Sequence, residues 1–166
     1  AIMIAKALGA VVIAVDISDQ QLSLAQSIGA TYTINAKQVD DVVHAIQQLT
    51  RGGAHLSIDA LGTTITCINS IACLKKRGRH IQVGLMAGKD SKAALPMSEV
   101  IGKELEIYGS HGMQAYAYDE MLRMIENGLL QPEKLLGKTI SLEQSIDELI
   151  AMDNFLSSGI TVIDRF

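Results

Sequence analysis

Residues 11–15, Val-Val-Ile-Ala-Val, form an unbroken apolar run that stops at once on Asp16. The run is too short for an apolar helix, and it lacks the alternation of a strand with one wet face. It reads as a strand covered on both faces, as strands of parallel sheets are. Helices must then be supplied to both sides, and the rest of the chain alternates accordingly.

A helix occupies 1–8 and closes at Gly9, which adopts a left-handed C-cap at no steric cost. The spacing predicts a helix over 19–28, with Leu22, Ala25 and Ile28 on one side, and a short strand over 32–34. Val42, Val43, Ile46 and Leu49 recur at helical spacing within 39–49. Arg51-Gly52-Gly53 turns the chain into a strand over 56–61, followed by a helix over 64–74. Arg77-Gly78 turns it again into a strand over 80–85, and after a loop comes a fifth strand over 105–108. Short turns between alternating helices and strands make an α/β fold with a doubly wound parallel sheet. The repeated "LGA" and "IGA" are explained as a helix C-cap entering a strand. After Gly109 the texture changes. Helices are expected over 118–127 and 142–153, a connection at Pro132, and strands over 138–140 and 160–163.

The 166 residues suffice for one domain with a real core, aliphatic because aromatics are only 4% and Trp is absent. A net charge of -4 leaves no basic footprint for nucleic acid. Lys6 and glycines interrupt the longest apolar stretches, so no membrane span is expected. Two cysteines, Cys67 and Cys73, suit a reducing, cytoplasmic setting. The first residue is Ala, with no signal peptide before it, and the sequence reads as cut inside a helix.

Asp16 then admits two readings. In a doubly wound sheet, ligands sit at the carboxyl ends of the strands. An acid there can accept hydrogen bonds from both ribose hydroxyls of adenosine and repel a 2'-phosphate, which selects NAD over NADP. Alternatively it caps the next helix, although Ser18 and Asp19 stand closer to the helix start. The glycine-rich turn that belongs about 20 residues upstream of a ribose-binding acid would precede residue 1.

The segments "AKALGAVVIAVDISDQQLSLAQSIGATYTINA", "IDALGTTITCINSIACLKKRGRHIQVGL" and "ELEIYGSHGM" resemble the cofactor domain of zinc-dependent medium-chain alcohol dehydrogenases. The resemblance runs in order over essentially the whole chain. It implies a Rossmann-type sheet of order 3-2-1-4-5-6, here lacking its first strand and glycine-rich turn. It implies residues 1–110 as a partial dinucleotide-binding domain and 111–166 as a segment returning to a catalytic domain outside this sequence. It implies NAD, a zinc whose ligands lie outside this chain, and an alcohol or aldehyde substrate for the parent enzyme, the fragment alone being inactive. A homo-oligomer, dimer or tetramer, is implied as well. The stretch 93–97 precedes the last strand of the sheet, whose edge pairs across a two-fold axis in relatives, and Pro96 suits an edge.

By the same resemblance, Asp16 matches the ribose-binding acid. Gln21 stands where many relatives carry a lysine. Asp59, Ala60 and Leu61 match a strand end beside the riboses. Val83, Gly84 and Leu85 match the strand end that lines the nicotinamide, with Gly84 letting the ring approach the backbone. Ser110 and His111 follow the last strand, where relatives bond the carboxamide through the backbone. An arginine that some relatives use on the pyrophosphate has no counterpart in "SSGITVID".

His44, His55 and His80 read as structural or solvent-facing. Cys67 and Cys73, about 600° of helical turn apart, face different sides and share no metal. The run Lys75, Lys76, Arg77 and Arg79 reads as a solvated turn. A short-chain reductase needs a Tyr with a Lys four residues on, and no Tyr here has one. The alternative function is a free-standing dinucleotide-sensing regulatory domain. The helical tail and "IYGSHGM" favour the dehydrogenase.

Overall fold

The computed structural model describes residues 1–152 and 158–166. In chain order its elements are α1 (Ile2–Ala7), β1 (Ile13–Asp16), α2 (Asp19–Ser27), β2 (Tyr32–Asn35), α3 (Val42–Thr50), β3 (Ala54–Asp59), α4 (Thr64–Ala72) and β4 (Leu74–Gln82). There follow α5 (Met97–Gly102), β5 (Glu106–Gly109), α6 (Tyr118–Glu126), β6 (Leu136–Ser141), α7 (Ser145–Ala151) and β7 (Ile160–Arg165). Two compact units result, Ala1–Asn35 with Ala115–Phe166, and Ala36–Gln114.

In the first unit β1 and β2 pair in parallel, Ile13 with Tyr32 through Asp16 with Asn35. Leu22 and Ala25 of α2 are buried, as are Ala30 and Ile34. Ser18 caps α2, and its side chain accepts from the Gln21 N–H. The tail of this unit adds a second parallel pair, β6 with β7.

The second unit is a three-stranded parallel sheet of order β3-β4-β5. Its core is aliphatic. Ile71 and Leu74 are fully buried, with Cys67 and Cys73 beside them. A capping box at Thr63 and Thr66 starts α4. The expected order 3-2-1-4-5-6, less its central strand, leaves 3-2 and 4-5-6. These are the sheets observed, β2-β1 and β3-β4-β5.

Several boundaries differ from the expected ones. The helix expected over 39–49 starts at Val42, because the Asp41 side chain caps it through the His44 N–H at 3.0 Å. The helix expected over 64–74 stops at Ala72, and Leu74 already opens β4. The Arg77-Gly78 turn lies inside β4 as an irregularity. The register passes from Ala54–Leu74 to Leu56–Arg79, and Arg77 has φ 60°. The strand expected over 80–85 ends at Gln82, where the Val83 and Gly84 N–H groups leave the ladder for the Asp59 carbonyl, each at 2.9 Å. The stretch read as a loop before residue 105 contains α5, and Pro96 sits at its N-cap rather than in an edge strand. The helix expected over 142–153 runs Ser145–Ala151, and its expected last residue, Asp153, lies outside the described residues.

Candidate functional site

Each unit carries its own cluster at the carboxyl ends of parallel strands, where open α/β sheets bind ligands. The first is built on Asp16, the last residue of β1, which is half-buried. Its Oδ1 accepts from the Ser18 N–H at 2.9 Å. Ser18 performs the helix capping, so one of the two readings of Asp16 is removed. The turn uses one carboxylate oxygen and not Oδ2. Gln21 lies in the first turn of α2. Asp16 and Gln21 both line an open hollow of about 220 Å³ that runs along β1, with Ile2, Val15, Leu22 and Ile28.

The second cluster centres on Asp59, the last residue of β3 and buried at 4% exposure. Its Oδ1 accepts from the N–H groups of Leu61 (3.0 Å) and Gly62 (3.2 Å), and its Oδ2 from the Gln82 amide (2.9 Å). Burial works to raise this carboxyl. Hydrogen bonds from Gln82, from the Gly62 and Leu61 backbone and from Thr66 outweigh it and hold Asp59 below the ordinary carboxylate value. The carboxylate thus shapes the turn that follows β3.

Gly84 and Gly62 cross backbone on backbone. A Cβ on Gly84 would lie 2.5 Å from the Leu61 carbonyl carbon, and one on Gly62 2.6 Å from the Leu85 carbonyl oxygen. Gly84 is therefore glycine because the Leu61-Gly62 backbone passes over it, a reason that the sequence did not disclose. Around the crossing, Ala60 and the apolar side chains of Leu61, Val83 and Leu85 are exposed. Ser110 joins through its N–H, which donates to the Gln82 carbonyl at 2.9 Å. His111 is exposed and makes no hydrogen bond to this cluster among the described residues.

Two further side chains, His80 and Gln82, were not singled out as site residues from the sequence. His80 is 1% exposed. Burial lowers its pKa against the opposing effects of Gln82 and Asp59, which favours the neutral ring. The available signal was a polar residue at every second position of two strands, Ser57 and Asp59, His80 and Gln82. Of the other histidines, His44 meets Gln48 at 2.9 Å on α3. Among the described residues, no group of three or more His, Cys, Asp and Glu is placed to hold a metal ion. No described helix is long and apolar enough to cross a membrane.

The zinc-binding dehydrogenase family profile matches residues 1–127. An NAD-dependent alcohol dehydrogenase of Sulfurisphaera tokodaii is 32% identical over 98% of this chain and 46% of its own length. A solved NAD-dependent alcohol dehydrogenase superposes with a TM-score of 0.86 at 28% identity, covering 98% of this chain and 46% of that one. The benzyl alcohol dehydrogenase of Acinetobacter calcoaceticus shares the fold, with a TM-score of 0.88 at 24% identity over 99% of this chain and 46% of that one. The chain thus spans about half the length of the relatives it matches.

Proposed function

Because the chain belongs to the zinc-binding dehydrogenase family, we propose that it is the NAD-binding portion of a zinc-dependent alcohol dehydrogenase acting on a small alcohol or aldehyde. The observation that carries this reading is Asp16. It ends β1 partly open, and Ser18 relieves it of capping α2. A carboxylate so placed suits two ribose hydroxyls, which can only donate to it, and opposes a 2'-phosphate. Gln21 would add a neutral hydrogen bond beside it.

In the second unit, Leu61, Val83 and Leu85 offer apolar surface to the nicotinamide end, and Asp59 holds the backbone of Leu61 through its carboxylate and that of Val83 through its carbonyl. The Ser110 N–H is already spent on Gln82, so the Ser110 carbonyl and the His111 backbone are what remain for the carboxamide. When bound, NAD supplies the hydride acceptor and zinc a Lewis acid for the alcohol oxygen. In this reading residues 1–110 belong to the dinucleotide-binding domain, and 111–166 return to the catalytic domain. The full-length protein is a cytoplasmic homo-oligomer, dimer or tetramer. The exposure of all four residues of β5, an outer strand of its sheet, supports association. The two free, buried cysteines suit a reducing compartment.

Steady-state kinetics of the full-length protein with each cofactor test the reading. A like charge opposite a phosphate costs several kcal/mol, so NAD should exceed NADP in kcat/KM by about 100-fold or more. Asp16→Gly should narrow that ratio. Equal efficiency with both cofactors in the unaltered enzyme would refute it.

A further inference from the structure

The register of β3 and β4 sets Ser57 beside His80 and Asp59 beside Gln82. Alternate residues of a strand share a face, so both polar pairs lie on one face of the sheet. Ser70 of α4 reaches the same ring. The Ser57 and Ser70 hydroxyls meet the His80 Nδ1 at 3.2 and 3.1 Å, and His80 Nε2 meets Gln82 Oε1 at 3.1 Å. The Gln82 Nε2 donates to Asp59 Oδ2 and to the Gly84 carbonyl, both at 2.9 Å.

For the neutral ring that burial favours, one proton arrangement fits. An amide oxygen can only accept, so the His80 proton sits on Nε2, and the single Nδ1 lone pair is left to accept from the Ser57 or the Ser70 hydroxyl. His80 Nε2–H then dictates which way the Gln82 amide faces. A flipped amide would aim its oxygen at the Asp59 carboxylate and the Gly84 carbonyl, acceptor against acceptor. A core built for stability alone has no need of such a chain, since apolar residues of equal volume often serve as well. What the polar chain adds is direction. Every bond at its far end lands on the Asp59–Gly62 turn or on Gly84.

We propose that Ser57, Ser70, His80 and Gln82 form a positioning device for the nicotinamide end of the cofactor, in which His80 fixes the Gln82 amide and the amide fixes the two crossing backbones at the ends of β3 and β4. This rests on the NAD reading above. None of the four touches cofactor. They act through Asp59 and the backbone of Leu61 and Gly84.

The test uses the full-length protein with two probes: NADH, followed by its fluorescence, and ADP-ribose, which lacks the nicotinamide. Gln82→Met keeps the length and removes the hydrogen bonds. It should raise the NADH Kd and the NAD KM by about tenfold and leave the ADP-ribose Kd within about twofold. Gln82→Glu keeps the acceptor for His80 but turns an oxygen toward Asp59, and it should behave like Gln82→Met. Ser57→Ala combined with Ser70→Ala, a gentler change suited to the case of a poorly folded Gln82 variant, should move NADH in the same direction by about threefold. Unchanged NADH binding in the folded variants, or equal weakening of both probes, overturns the positioning role. Failure of the unaltered protein to bind NADH overturns the NAD reading instead.

Discussion

Gly84→Ala tests the backbone crossing directly. The new methyl would stand 2.5 Å from the Leu61 carbonyl carbon and 2.7 Å from the Leu61 nitrogen, where ordinary contact begins at 3.4 Å. Both neighbours are backbone, so no rotamer change relieves the overlap. The turn after β3 must draw away from β4 by about 1 Å. That separation lengthens the two 2.9 Å bonds from the Val83 and Gly84 N–H groups to the Asp59 carbonyl beyond hydrogen-bonding range. Overpacking of this kind costs about 1–3 kcal/mol, and each lost bond about 0.5–1.5 kcal/mol. A loss of about 3 kcal/mol is expected once partial relaxation is allowed. The assay is equilibrium urea denaturation followed by circular dichroism, with Gly102→Ala as the control. A Cβ at Gly102, in the last turn of α5, meets nothing within 4 Å. The control should be neutral or stabilise by up to about 1 kcal/mol. A Gly84→Ala midpoint indistinguishable from that of the unaltered protein, at equal m, would refute the crossing as the reason for glycine.

Two other expectations concern titrating groups. The folded-state pKa of Asp59 is depressed, so its contribution to stability is present above the unfolded value and lost as pH falls through the folded one. The stability advantage of the unaltered protein over Asp59→Asn should therefore shrink as denaturation is repeated from pH 7 down to pH 3, and an advantage that grows toward acid would contradict the assignment. Burial pushes the Cys73 thiol up to about 11, its own backbone and Lys103 opposing only in part, and burial raises Cys67 as well. Neither should react with a disulfide reagent at pH 8 until urea unfolds the protein, and rapid labelling of the native state would contradict this.

The parts of the fold that were legible in the sequence are those fixed by local chemistry. The run 11–15, the glycines after two helices and the 3.6-residue spacing of α2 and α3 each declare themselves within a few residues. What stayed hidden depends on distant partners. Leu74 begins a strand because Ala54 pairs with it, although its own neighbours read as helix. The short α5 lay behind Pro96, which suggested a sheet edge. At the candidate site, Asp16 is legible because a charge ending an apolar run is conspicuous. Gln82 is not, because a glutamine in a strand says nothing until the register sets it beside Asp59. Gly84 has a second reason to be glycine, since only the folded chain shows Leu61 and Gly62 lying across it.

The separation of Ser18 from Asp16 has an evolutionary consequence. A residue that both caps a helix and selects a cofactor cannot change one role without paying in the other. Here the cap belongs to Ser18, and Asp16 contributes locally one hydrogen bond to the Ser18 N–H. Exchanging Asp16 for a small neutral residue should cost the fold about 1 kcal/mol. On the proposed reading, in which Asp16 opposes a 2'-phosphate, a lineage built on this scaffold could relax its cofactor preference at a single codon, with α2 and the sheet beneath it intact.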